Sequence, residues 1–161
     1  MPNKLKELLL GRGWAGRTIT RAETVDRLNP IVRRHIELNH HYEAVIREHP
    51  ESNVVQTLRT LQRTARMDVG KISETIFSAG GSAYNGTELE PSDFEPVGDP
   101  IEMISDLIQR ERSFKKMVME ERETVEHQIR TRAILELVAS NSDERLKTLT
   151  AIETELTRTA A

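Results

Sequence analysis

Apolar residues recur along most of this chain at intervals of three and four, the spacing that places them on one face of an α-helix. Between about Ala22 and Glu48 they are Leu28, Ile31, Val32, Leu38, Val45 and Ile46. His35 and Tyr42 fall on the same stripe, whereas Glu37, His40 and Ala44 fall off it. Pro30 marks either a kink in this helix or its true start. The run from His49 through Pro50 to Asn53 ends it. A second stripe covers about Asn53 to Ala79: Val54, Leu58, Leu61, Ala65, Val69, Ile72 and Ile76, with Asp68 at its edge. Gly80 and Gly81 then close the helix as a left-handed cap requires.

A third stripe begins near Pro100, a favourable first-turn residue. It runs through Ile104, Leu107, Ile108, Phe114, Val118 and Val125, with Glu111 and Glu121 on the same line. The fourth covers about Thr131 to Leu156 through Ile134, Leu137, Val138, Leu149, Ile152 and Leu156. Its middle turns polar, with Asn141, Glu144, Arg145 and Thr148 at inward positions. The pattern therefore predicts an all-α fold, a four-helix bundle over residues 21–161. Residues 1–20 read as a basic N-terminal arm with a short helix and Trp14 docked on the body. Lys and Arg outnumber Asp and Glu eight to three over residues 1–36.

Between the second and third helices lies a crossover loop, about residues 80–100, with Pro91, Pro96 and Pro100. It carries Glu88, Glu90, Asp93, Glu95 and Asp99, and no Lys or Arg occurs between Lys71 and Arg110. So long a connection in a small domain wants a reason, and a chain that must cross from one end of a bundle to the other supplies it. The expected architecture is two helical hairpins joined by a long crossover.

Composition narrows the chemistry. With no Cys in 161 residues, disulfides, cysteine zinc sites, iron–sulfur clusters and thiol nucleophiles are excluded. A net charge of −3 gives no global case for nucleic acid, although the basic arm leaves that partner open. No apolar run approaches the roughly 20 residues of a membrane span, and no export signal precedes the first helix, so a cytoplasmic protein without membrane contact is expected. Gly11, Gly13 and Gly16 match a dinucleotide-binding spacing, but no strand precedes them. No Ser sits in a strand–turn–helix elbow, so no catalytic residue is assigned.

Three places resemble ferritins and bacterioferritins. Leu28-Asn29 with Tyr42 downstream is similar to their first helix. Lys71-Ile72-Ser73-Glu74-Thr75-Ile76, running on to Gly80-Gly81, resembles the end of their second. Ile152-Glu153-Thr154-Glu155-Leu156 resembles the end of their fourth. The resemblance covers about residues 27–157 and implies a ferritin-like bundle with a di-iron centre in its core. Such centres take one Glu from each of two helices and a Glu-x-x-His pair from each of the other two. Carried over, those positions fall at His35, at Ala65 and Asp68, at Glu111, and at Glu144 and Lys147. A shift of one residue on the last helix would substitute Arg145 and Thr148. No Glu-x-x-His survives on the second or fourth helix, and the haem Met of bacterioferritins would fall at Arg66.

Two readings of these residues remain. In one, His35, Asp68, Glu111 and Glu144 hold iron or another divalent metal in a rearranged site, and the protein binds or oxidises iron in storage or oxidative-stress defence. In the other, preferred here, no cofactor is required. The core is then a buried polar network: His35 pairs with Glu111 or Asp68, and Lys147 or Arg145 neutralises Glu144. The resemblance then implies a non-catalytic protein that works by association, as a homodimer, a higher homo-oligomer or with a protein partner. Three other His-bearing groups read as peripheral. Glu37 and His40 face solvent, Glu123 and His127 form a helix-end ion pair, and His49 is a helix-terminal charge partner.

Overall fold

A computed structural model of the chain describes residues 18–161. Of the expected basic arm, residues 18–20 are described; the short helix and the Trp14 docking expected for it fall outside the described residues. Four long helices follow: α1 (Arg21–Glu48), α2 (Ser52–Ser78), α3 (Pro100–Thr124) and α4 (Ile129–Ala160), with a 3₁₀ turn at Pro91–Phe94 between α2 and α3.

The helix boundaries follow from local chemistry. The Thr20 hydroxyl accepts from Glu23 N–H, and the Glu23 carboxylate accepts from Thr20 N–H, so α1 opens nine residues before Pro30. Pro30 is therefore an interior residue, not the start, and it sits on the exposed face. Asp99 and Glu102 make the same reciprocal cap at α3, with Pro100 as first helical residue. At the end of α2, Gly80 takes φ +88°, and Gly81 N–H reaches back to Ile76 C=O at 3.1 Å. Gly81 also faces Val25 so closely that an added Cβ would lie 2.5 Å from its methyl carbons.

Three residues turn α1 into α2, and a short turn at 125–128 joins α3 to α4, giving two antiparallel hairpins. Contacts along their length fix how they meet. At one end Arg27 pairs with Glu121 at 3.3 Å, and Ile19 N–H donates to Glu126 C=O at 3.2 Å. Midway, Tyr42 of α1 meets Glu111 of α3, and Arg145 of α4 meets Asp68 of α2. Thus α1 runs antiparallel to both α2 and α3. The crossover starts beside Asn29, whose side chain accepts from Tyr84 N–H and donates to Ser82 C=O. It ends beyond Phe94, which stacks on His40 at 4.8 Å and meets His41 edge-on at 5.0 Å. From Asn29 to Arg47, which pairs with Glu95, α1 rises about 27 Å, so the crossover runs along most of this helix.

The core is mostly aliphatic, with Leu28, Ile31, Val32, Leu58, Ile72, Ile76, Ile104, Leu107, Leu135 and Leu149, and the ring of Phe114, all almost wholly buried. Two stripes differ from the sequence expectation. Ala44 is buried, because α1 is covered by the crossover as well as by its helical neighbours. On α4 the inward line is Leu135, Val138, Ala139, Ser142, Arg145 and Leu149, while Leu137 is 41 % exposed. The polar middle of α4 hides this phase, since Ser142 and Arg145 follow Val138 at four and seven residues yet do not read as apolar.

Candidate functional site

The long aliphatic core is interrupted midway by charge. Arg145, 1 % exposed, enters from α4 between two fully buried carboxylates, Asp68 of α2 and Glu111 of α3. Its Nη1 donates to Asp68 Oδ2 at 3.0 Å, and its Nη2 and Nε donate to Glu111 Oε1 at 2.9 and 3.1 Å. Every remaining carboxylate oxygen is also satisfied. Tyr42 Oη donates to Glu111 Oε2 at 2.9 Å, Ser142 Oγ to Glu111 Oε1 at 2.6 Å, and Asn141 Nδ2 to Asp68 Oδ1 at 2.8 Å. Lys71, one-third exposed, stands 3.6 Å from Asp68 Oδ1. Two carboxylates thus meet one buried and one bordering cation, and formal charge balances.

The protonation states follow from this packing. Burial works against the charge on Arg145, but Glu111 and the hydrogen bonds around it hold the guanidinium above its ordinary range. Tyr42 is pushed well above the usual phenol range by burial and then by the Glu111 charge, so it remains a donor. His35 is pushed well below the usual imidazole range by burial first and by Arg145 second. It is neutral, stacks on Phe114 with ring centroids 4.1 Å apart, and among the described residues neither ring nitrogen has a hydrogen-bond partner.

Of the four expected metal ligands, His35, Asp68 and Glu111 are all fully buried in this core, though only the two carboxylates are joined, through Arg145. Glu144 is not among them: its side chain is 68 % exposed and pairs with Lys147 at 2.6 Å on the outside of α4. The reason is the phase of α4, which turns Arg145 inward and its predecessor away. The buried network also differs in its pairing from expectation. Arg145 neutralises Asp68 and Glu111 rather than Glu144, and His35 bonds neither carboxylate. Ser142 escaped the sequence reading, although its four-residue step from Val138 marks it as inward. The donor set does not fit a di-iron centre. A fixed guanidinium fills the space between the carboxylates, Ala65 offers no ligand, and among the described residues no group of three His, Asp or Glu side chains converges as a metal site would require.

The peripheral groups also shift. Glu37 pairs with Arg33 and Arg34, but its neighbour His40 packs on Phe94 rather than facing open solvent. His127 is buried and bonded to Glu121 at 2.9 Å, while Glu123 pairs with Arg122. His49 is a buried α1 cap whose Nδ1 accepts from Glu51 N–H; burial lowers its pKa, so it is no charge partner. No helix among the described residues is long and apolar enough to cross a membrane. Set against protein-family models and curated proteins, the chain matches none.

Proposed function

We propose that this chain is a ferritin-like bundle whose metal centre has given way to an internal ion pair, and that it acts without catalysis in the cytoplasm, through association with itself or a protein partner. The observation that carries this reading is the Arg145 guanidinium, held between Asp68 and Glu111 where a cation bridging the two carboxylates would sit. Arg keeps its proton across the accessible pH range, so this cation cannot leave by titration. The paired hairpins, the crossover along α1 and Tyr42 on the Glu111 carboxylate support the resemblance in architecture.

Association is supported by complementary surfaces. The first half of α2 carries Arg59, Arg63 and Arg66 on its exposed side and no acidic residue before Asp68. The crossover carries Glu88, Glu90 and Asp93, all exposed. Two copies related by a two-fold axis would offer each surface its counterpart twice. Elemental analysis of protein grown in iron-rich medium, paired with mass by light scattering, tests both parts. Iron well below one atom per chain and a dimer or larger species are expected. Stoichiometric iron, lost in His35→Ala or Glu111→Ala, would overturn the replaced centre in favour of an iron-binding protein. A concentration-independent monomer would remove self-association.

A further inference from the structure

Single apolar side chains on a protein surface are ordinary, but a run of them down one helix marks a contact. Met67 and Phe77 stand ten residues apart on α2, and Val97 lies in the crossover. On α4 the exposed apolar residues gather. Ile129 is 91 % exposed, Leu137 is 41 % exposed, and exposed Ala133 lies between them. Steps of four residues set the three in one stripe down the outside of the helix, opposite the inward line of Leu135, Ser142 and Leu149. Half-buried Ile134 borders it. From Ile129 to Leu137 the stripe is about 12 Å long.

The described chain begins beside this stripe. Thr18 bridges to Glu126, and Ile19 N–H donates to Glu126 C=O at 3.2 Å, three residues before Ile129. The sequence before Thr18 carries Leu5, Leu8 and Leu9 at helical steps of three and four, flanked by Lys4 and Lys6, with Glu7 on the other side. Residues 11–17 link this segment to Thr18. They contain Gly11, Gly13 and Gly16, which turn freely, and they extend to about 23 Å. Glu126 and Ile129 are at most about 11 Å apart, so the link reaches the stripe with length to spare. Charge favours the same approach. Residues 1–17 hold four Lys and Arg against one Glu, a net of +3, so residues 18–161 carry −6 within the chain's total of −3. Beside the stripe stand Arg130 and Arg132, the latter paired with Glu136. The contact itself is therefore apolar, and the overall charge difference only draws arm and body together.

We infer that the Leu5, Leu8 and Leu9 segment docks on the Ile129, Ala133 and Leu137 stripe of its own chain. A helical segment laid along α4 sets three leucines against a stripe of matching length, and both apolar faces leave water. A short flexible link holds the segment at an effective concentration near millimolar. That exceeds the arm of a second copy in a micromolar solution, so the contact closes within one chain.

The test is NMR of the full chain at micromolar concentration, labelled at the Ile, Leu and Met methyl groups. Nuclear Overhauser contacts from the Leu8 and Leu9 methyls to those of Ile129 and Leu137 are expected. I129S/L137S changes two exposed residues and leaves the buried face of α4 intact, so it should fold normally and lose these contacts. In L5S/L8S/L9S the methyl signals of Ile129 and Leu137 should shift, while that of Met67, exposed on α2, should stay in place. In a mixture of labelled and unlabelled chains, no such contact should appear between chains. Contacts between chains there would give the stripe to a second copy and overturn docking within one chain. Absence of the contacts in the parent, contacts of Leu8 and Leu9 with another face, or arm signals identical in the parent and I129S/L137S would overturn it too.

Discussion

Replacing Arg145 by Met removes the central cation while keeping an unbranched side chain in its place. Three hydrogen bonds are lost, two to Glu111 and one to Asp68. Glu111 keeps Tyr42 and Ser142, and Asp68 keeps Asn141 and the partly exposed Lys71, but both carboxylates are 0 % exposed. Breaking a buried ion pair by removing one partner costs roughly 3–5 kcal/mol, because the surviving charge remains desolvated. For a domain of this size each kcal/mol moves the melting midpoint by about 2–4 °C, so a drop of roughly 6–20 °C is expected. Urea unfolding at pH 7 and fixed protein concentration gives the free energy directly. The cycle with Glu111→Gln then isolates the pair: the double variant should cost less than the sum of Arg145→Met and Glu111→Gln measured singly, by a coupling of at least about 1 kcal/mol. A loss below about 1 kcal/mol for Arg145→Met, or additivity within about 0.5 kcal/mol, would refute the claim that the guanidinium holds these carboxylates.

His35→Leu should stabilise the fold by about 1–2 kcal/mol, since it removes two buried nitrogens that have no partner; a loss of stability in urea unfolding would show that the imidazole is engaged. His41 is held down to about 4 by burial and then by Arg110, against Asp106 and Glu37, so the folded state takes its proton later than the unfolded chain. Its contribution is full above pH 6.5 and is lost as pH falls from there to 4, by about 1–2 kcal/mol once partial solvent access is allowed for; His41→Gln should flatten the corresponding slope of melting midpoint against pH. Gly81→Ala should cost about 1–3 kcal/mol by driving a methyl into Val25, and Val25→Ala in the same chain should recover part of it; equal melting of Gly81→Ala and the parent would contradict the close approach.

Much of the fold is legible because local rules agree with tertiary ones. Gly80 closes α2 and Pro100 opens α3 where the hydrophobic stripes stop and start. The long acidic tract announces a crossover by its length alone. The phase of α4 is less legible, for a physical reason. Its inward line carries Ser142 and Arg145 at its centre, so the apolar halves on either side cannot be joined by periodicity. The resemblance to ferritins places a ligand at Glu144, and this unclear phase offers nothing in the sequence to turn it outward. The anchor at Phe94 is equally hidden, because its partners are two histidines that look solvent-directed until the crossover covers them. The site was half visible for the same reason: Asp68, Glu111 and His35 lie on clear stripes, whereas the cation between them lies on the unclear one.

The ion network also divides unevenly between the two hairpins. Glu111 and Arg145 both belong to the α3–α4 hairpin, which brings its own neutral pair. The α1–α2 hairpin brings Asp68, which Lys71 reaches only from the rim. Aliphatic side chains tolerate sliding, since one Leu or Ile packs against another almost as well a turn away. Asp68 does not, because a slip of one helical turn, about 5.4 Å, would strand its carboxylate in hydrocarbon. The bundle thus carries an internal gauge. Only the docking that brings a single guanidinium within reach of both hairpins is free of a naked buried charge.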